Sequence, residues 1–84
     1  MYEVMWEKKA FKQLMAIEHA QRKTIVHAAA GLQSWPACSN IKRLAGHQYA
    51  YRLRVGRYRV FFDVDSAVRI IRIEEVKKRD EHTY

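Results

Sequence analysis

Tyr51-Arg52-Leu53-Arg54-Val55-Gly56-Arg57-Tyr58-Arg59-Val60-Phe61-Phe62 alternates apolar and cationic residues on either side of a single glycine. Successive side chains of an extended chain point to opposite faces, so Tyr51, Leu53 and Val55 share one side while Arg52 and Arg54 share the other. The second run repeats the arrangement. Tyr58, Val60, Phe62 and Val64 fall on one face, and Arg57, Arg59, Phe61 and Asp63 on the opposite one. With Gly56 at the turn, the two runs form a hairpin that presents a basic surface on a rigid sheet. Such a surface suits a phosphate backbone.

Upstream of the hairpin, Ile41-Lys42-Arg43-Leu44-Ala45-Gly46 leads into its first strand, and Ser34 to Asn40 reads as a loop in which Pro36 closes off any preceding helix. A helix is predicted from about Glu18 to Leu32, with Ile25, Val26, Ala29 and Leu32 as its apolar stripe and Gly31 weakening its last turn. Another follows Glu7, where Phe11, Leu14, Met15 and Glu18 recur at helical spacing and Lys8, Lys9 and Lys12 take the wet side. Tyr2 to Trp6 reads as a first strand, with Tyr2, Val4 and Trp6 on one face. Downstream, Asp63-Val64-Asp65-Ser66 signals a turn. Ala67 to Val76 then reads as a strand with β-branched residues on both faces, as expected of a strand covered on both sides. In that strand Glu74 and Glu75 are expected on opposite faces, which argues against an acid pair.

The order is therefore strand, two helices, three antiparallel strands: one α+β domain over residues 1–84, with the helices on one face of the sheet. Trp6, Phe11, Leu14, Ile25, Leu53, Val60, Phe62 and Ile73 are the expected core. The 84 residues suit one compact domain and are too few for two. Sixteen Lys and Arg against nine Asp and Glu leave a net charge of +7, which favours nucleic acid, ribosomal RNA or an acidic protein as partner. The lone Cys38 has no internal disulfide partner, and no Cys/His spacing resembles a zinc site. No secretion signal or membrane span is read in the chain. A cytoplasmic location without membrane contact is the expectation.

Lys42-Arg43-Leu44-Ala45-Gly46, Tyr51-Arg52-Leu53-Arg54-Val55-Gly56, Tyr58-Arg59-Val60-Phe61-Phe62 and the basic cluster Lys77-Lys78-Arg79 followed by Tyr84 occur in that order. In this ordered combination the chain resembles the RelE/ParE toxin superfamily, and specifically its RelE-like branch. The resemblance spans essentially the whole chain. It implies the toxin of a two-gene toxin-antitoxin module, acting without cofactor or metal as an endoribonuclease that cuts messenger RNA in the ribosomal A site. In such proteins the ribose 2′-hydroxyl attacks the adjacent phosphate, leaving a 2′,3′-cyclic phosphate and a free 5′-hydroxyl. The chemistry requires a base, fixed positive charge on the phosphate and an acid for the leaving oxygen.

Carried over by position, the resemblance makes Arg59 the stabiliser of charge on the phosphorane. Arg52 and Arg54 stand where the best-known members have lysines; a guanidinium holds phosphate but cannot take a proton at neutral pH, so the base lies elsewhere. Tyr84 is the candidate to stack on the scissile nucleotide or shuttle a proton, and either Arg79 or Lys78 is the tail cation. Arg57, Phe61, Lys42 and Arg43 are expected RNA contacts, Phe61 by stacking on a base or by packing beneath the arginines. His47 and His82 have the intrinsic acidity for proton transfer, but no motif sets them at the phosphate. His19 and His27 read as structural.

The implied partners are a cognate antitoxin, which folds around the basic domain, and the 30S A site with its ribosomal RNA and messenger. Operator DNA is contacted only through the antitoxin complex, which is expected to be co-transcribed and self-repressing. Two other readings stay open: a ParE-like poison of DNA gyrase, and a nucleic-acid-binding module without activity.

Overall fold

Gly56 adopts φ +57°, a left-handed conformation that side chains resist and that a tight hairpin turn requires. It joins two strands, Tyr51–Val55 and Tyr58–Asp65, in the register Leu53 opposite Val60 and Arg54 opposite Arg59. The computed structural model describes residues 1–79. In chain order the elements are β1 (Glu3–Trp6), α1 (Lys8–Met15), α2 (His19–Ala30), a 3₁₀ turn (Gly31–Ser34), β2 (Ile41–Arg43), β3 (Tyr51–Val55), β4 (Tyr58–Asp65) and β5 (Ile70–Lys78). The strands form one mixed sheet in the order β1-β5-β4-β3-β2. β1 runs parallel to β5, and every other pairing is antiparallel.

The α+β order is as the sequence implies, with one addition. The lead-in segment before the hairpin is itself a short edge strand, β2, pairing Lys42 with Arg52 and Arg43 with Tyr51. The turn after β4 is built by Asp65, whose Oδ1 accepts the Ala67 and Val68 backbone N–H groups at 3.1 and 3.4 Å. This is the local bonding that makes aspartate a turn residue.

The core lies between the helices and one face of the sheet. Leu14, Ile25, Ala29 and Leu32 from the helical side meet Leu53, Val60, Phe62, Ile71 and Ile73, all buried. Phe62 is the largest fully buried side chain. Tyr51 stacks on it at 5.5 Å, and Trp35 packs edge-on against it at 5.7 Å and against Tyr51 at 4.7 Å. These apolar contacts anchor the hairpin to the core.

Phe11, expected in the core, is 51% exposed, and Met15 and Val26 are exposed as well. The buried stripe of α1 is Ala10 and Leu14 instead. The helix turns Ala10 inward in place of Phe11 because it lies along the part of β5 beyond its pairing with β1, where Gln13 Oε1 accepts the Val76 backbone N–H at 2.7 Å. A bulky ring at position 10 would block that approach, whereas alanine permits it.

The second departure is in β5. Its register shifts, with Phe61 opposite Glu75 but Phe62 opposite Ile73, so that Glu74 is an extra residue, a β-bulge. The bulge resets the alternation. Ile71 and Ile73 point inward before it and Val76 after it, which accounts for the apolar Val76 at the other parity, while Ile70, ahead of the bulge, lies half-buried on the opposite face. Glu74, bonded to Asp63, and Glu75, opposite Phe61, consequently share the side away from the helices. No helix among the described residues is long and apolar enough to cross a membrane.

Candidate nucleic-acid interface

Cross-strand partners share a face, so the register converts the arginine pattern into rows on the side of the sheet away from the helices. One row runs Lys42, Arg52, Phe61, Glu75 across β2, β3, β4 and β5. The next runs Arg54, Arg59, Lys77. A third pair stands at the strand ends, where the Arg79 N–H donates at 2.6 Å to the carbonyl of Arg57, a residue of the hairpin turn. Rows are about 7 Å apart and strands about 4.8 Å apart, so the cations of the last two rows converge on a patch about 10 Å wide. Like charges opposite one another oppose folding. Their convergence gives this patch a positive potential that suits an anion.

The same geometry separates the tail cations. Lys77 stands opposite Arg59 and Lys78 opposite Tyr58. Arg79 is thereby on the Arg59 face, and Lys78 faces the helices beside Tyr58, whose hydroxyl donates to Gln21 Oε1 at 2.9 Å. Arg43, opposite Tyr51, is also on the helix side and leaves the cationic surface that Lys42 joins. Tyr84, together with His82, lies outside the described residues.

Arg59 and Arg52 are half-buried, whereas Arg54, Arg57, Lys77 and Arg79 are exposed. The Arg52 Nε is shielded from solvent and has no hydrogen-bond partner, a costly donor on the face that an anion would approach. Phe61 is not available as a base-stacking surface, being 6% exposed. His47 lies on it with ring centroids 5.0 Å apart and planes 14° from parallel. The ring is packed beneath His47 and beside Tyr49.

Beyond Phe61 the face changes sign. Asp63 Oδ1 accepts the Ala50 N–H at 2.8 Å, and Arg72 Nη1 pairs with Glu7 Oε1 at 3.8 Å. Burial raises the Glu74 carboxyl above its ordinary pKa, and the hydrogen bond and negative charge of Asp63 add to the effect. Glu75 is drawn to the edge by Lys9, Nζ to Oε1 3.5 Å. An anionic ligand is thus directed toward the Arg54, Arg59, Lys77 end of the sheet and away from the acidic end.

Sequence reasoning missed Lys77 and the cover that His47 gives Phe61. A signal for the first was present. Ile71 and Ile73 are two apart but Val76 is three further on, and a step of three in a period-two strand marks a bulge. Nothing local in the sequence signals the loop closing over Phe61.

No protein-family model matches the chain, and no curated protein matches it. Solved structures do. The chain is 26% identical to a protein of the archaeal RelE-RelB complex of Pyrococcus horikoshii OT3, covering 95% of this chain and 97% of that one with a TM-score of 0.80. It is 25% identical to a chain of the RelB-RelE antitoxin-toxin complex of Methanococcus jannaschii over 88% of each chain, TM-score 0.70. The isolated Escherichia coli RelE toxin shares the fold at a TM-score of 0.82, over 99% of this chain and 89% of that one, with 15% identity.

Proposed function

We propose, for a chain that shares its fold with RelE toxins, the activity of a type II toxin: a metal-independent endoribonuclease of one domain, residues 1–84, that cuts messenger RNA in the ribosomal A site. The observation that carries this reading is the convergence of Arg54, Arg59 and Lys77 in one cross-strand row, flanked by Arg52 and by Arg57 with Arg79. The 2′-oxygen attacks phosphorus, the bond from phosphorus to the 5′-oxygen breaks, and the products are a 2′,3′-cyclic phosphate and a 5′-hydroxyl. Arg59, half-buried between two cations, stabilises the additional negative charge of the transition state. Arg52, Arg54 and Arg79 hold the phosphate, Lys42 and Arg57 the flanking backbone, and Tyr84 aligns the nucleotide or carries a proton.

The partners in this scheme are the 30S A site, the messenger and a cognate antitoxin, by analogy with the toxin-antitoxin complexes of similar fold. The setting is the cytoplasm, and operator DNA is reached only through the antitoxin. The test is primer extension on messenger from a reconstituted translation reaction. The expected result is cuts within the A-site codon that require ribosomes. Intact messenger together with inhibited DNA gyrase supercoiling would refute the nuclease and replace it with a gyrase poison.

A further inference from the structure

The connection between β2 and β3, residues 44–50, folds back over the sheet. The Leu44 N–H donates to the Ala50 carbonyl at 2.8 Å, the Ala50 N–H donates to Asp63 Oδ1 on β4 at 2.8 Å, and Gly46 turns the chain with φ +64°. The fold-over lays the His47 ring on Phe61. Tyr49 tilts against His47 and Phe61 with centroids at 5.9 and 6.0 Å, and its N–H donates to His47 Nδ1 at 3.0 Å. Phe61 and Tyr49 are 6% and 8% exposed, while His47 is exposed. One face of the imidazole is therefore covered by an aromatic ring, while the residue as a whole remains exposed.

Its chemistry is restricted by the same contacts. Nδ1 accepts from Tyr49, so the neutral ring carries its hydrogen on Nε2 and offers a donor and a flat surface outward, not a basic lone pair. The position is that of a neighbour to the cationic row. Phe61 follows Arg59 by two residues along β4, about 7 Å on the same face, and Arg52 stands opposite Phe61. That is the scale of one nucleotide.

We infer that His47, backed by Phe61, is the platform on which a nucleobase of single-stranded RNA stacks while its neighbouring phosphate lies against Arg59 and Arg52. This rests on the reading of the basic face as the RNA surface. His47 is a positioning residue in this scheme and supplies no proton. Stacking on an aromatic ring accepts any base, so the platform adds affinity with little sequence preference.

The test uses the full chain and a short single-stranded RNA carrying 2-aminopurine, whose fluorescence is quenched on stacking, with ribosome-dependent cleavage measured in parallel. Wild type is expected to bind and quench; His47→Ala is expected to bind roughly 5- to 100-fold more weakly with quenching lost, and His47→Phe to stay within about threefold of wild type. Both variants lack Nδ1, so their difference isolates the stacking surface from the bond to Tyr49. Wild type that neither binds nor quenches, quenching that persists in His47→Ala, or His47→Phe as weak as His47→Ala would each overturn the platform. Failure of the nuclease reading is separable: His47-dependent quenching without any cleavage upholds the platform and removes the enzyme, and cleavage with His47-independent quenching does the reverse.

Discussion

Arg59→Ala separates a functional arginine from a structural one. Arg59 stands between Arg54 on β3 and Lys77 on β5, and it is half-buried where its two neighbours are exposed. Removing one preorganised donor from a developing oxyanion costs about 10²- to 10³-fold in rate. Exposed charges such as Arg54 and Lys77 are screened by water and salt, and removing either is expected to cost less. The fold does not depend on the side chain to the same degree, since the hairpin is held by Leu53, Val60 and Phe62 on the other face. A change of no more than about 1 kcal/mol, or about 4–8 °C in Tm, is expected for a chain of this size. Single-turnover cleavage at saturating ribosomes and thermal melting by circular dichroism give the two readouts. Arg59→Lys, which keeps the charge but loses the planar fork, should fall between wild type and alanine. Arg59→Ala that folds and still cuts at about the wild-type rate would refute the assignment, and so would lost activity that merely tracks lost stability.

Phe62→Ala removes the largest fully buried ring and should cost about 3–5 kcal/mol in urea unfolding, whereas the exposed Phe11→Ser should stay within about 1 kcal/mol. Glu74 has a raised pKa in the fold, so the native state holds a proton that the unfolded chain releases, and stability should decline as pH rises above the ordinary value of 4.5. Glu74→Gln should raise Tm at neutral pH and flatten that decline; a pH profile identical to wild type would show that the carboxyl pair does not act. Lys77→Ala should reduce the slope of log affinity for single-stranded RNA against log salt by about 0.7. An unchanged slope would remove Lys77 from the phosphate surface.

The hairpin was legible because period-two alternation around one glycine has a single solution, and Leu53, Val55, Val60 and Phe62 are buried where that solution puts them. Helix α1 was ambiguous. Phe11, Leu14 and Met15 make as regular a stripe as Ala10 and Leu14, and hydrophobicity favours the former, while the close approach of the helix to β5 favours the latter. The bulge at Glu74 decided the tail: without it Lys78 would share the face of Arg59, and with it Lys77 and Arg79 do. The cover over Phe61 was illegible in principle, because it depends on Asp63 fixing Ala50 thirteen residues away. The arginines themselves were named from sequence; their arrangement in rows required the register.

The most direct test of cleavage by 2′-oxygen attack places a single 2′-deoxynucleotide at the scissile position of a messenger paused in the ribosomal A site. The account predicts that wild-type protein leaves this messenger whole while cutting the all-ribose control to a 2′,3′-cyclic phosphate. Cleavage of the deoxy messenger, with a 3′-hydroxyl or 3′-phosphate end, would contradict it.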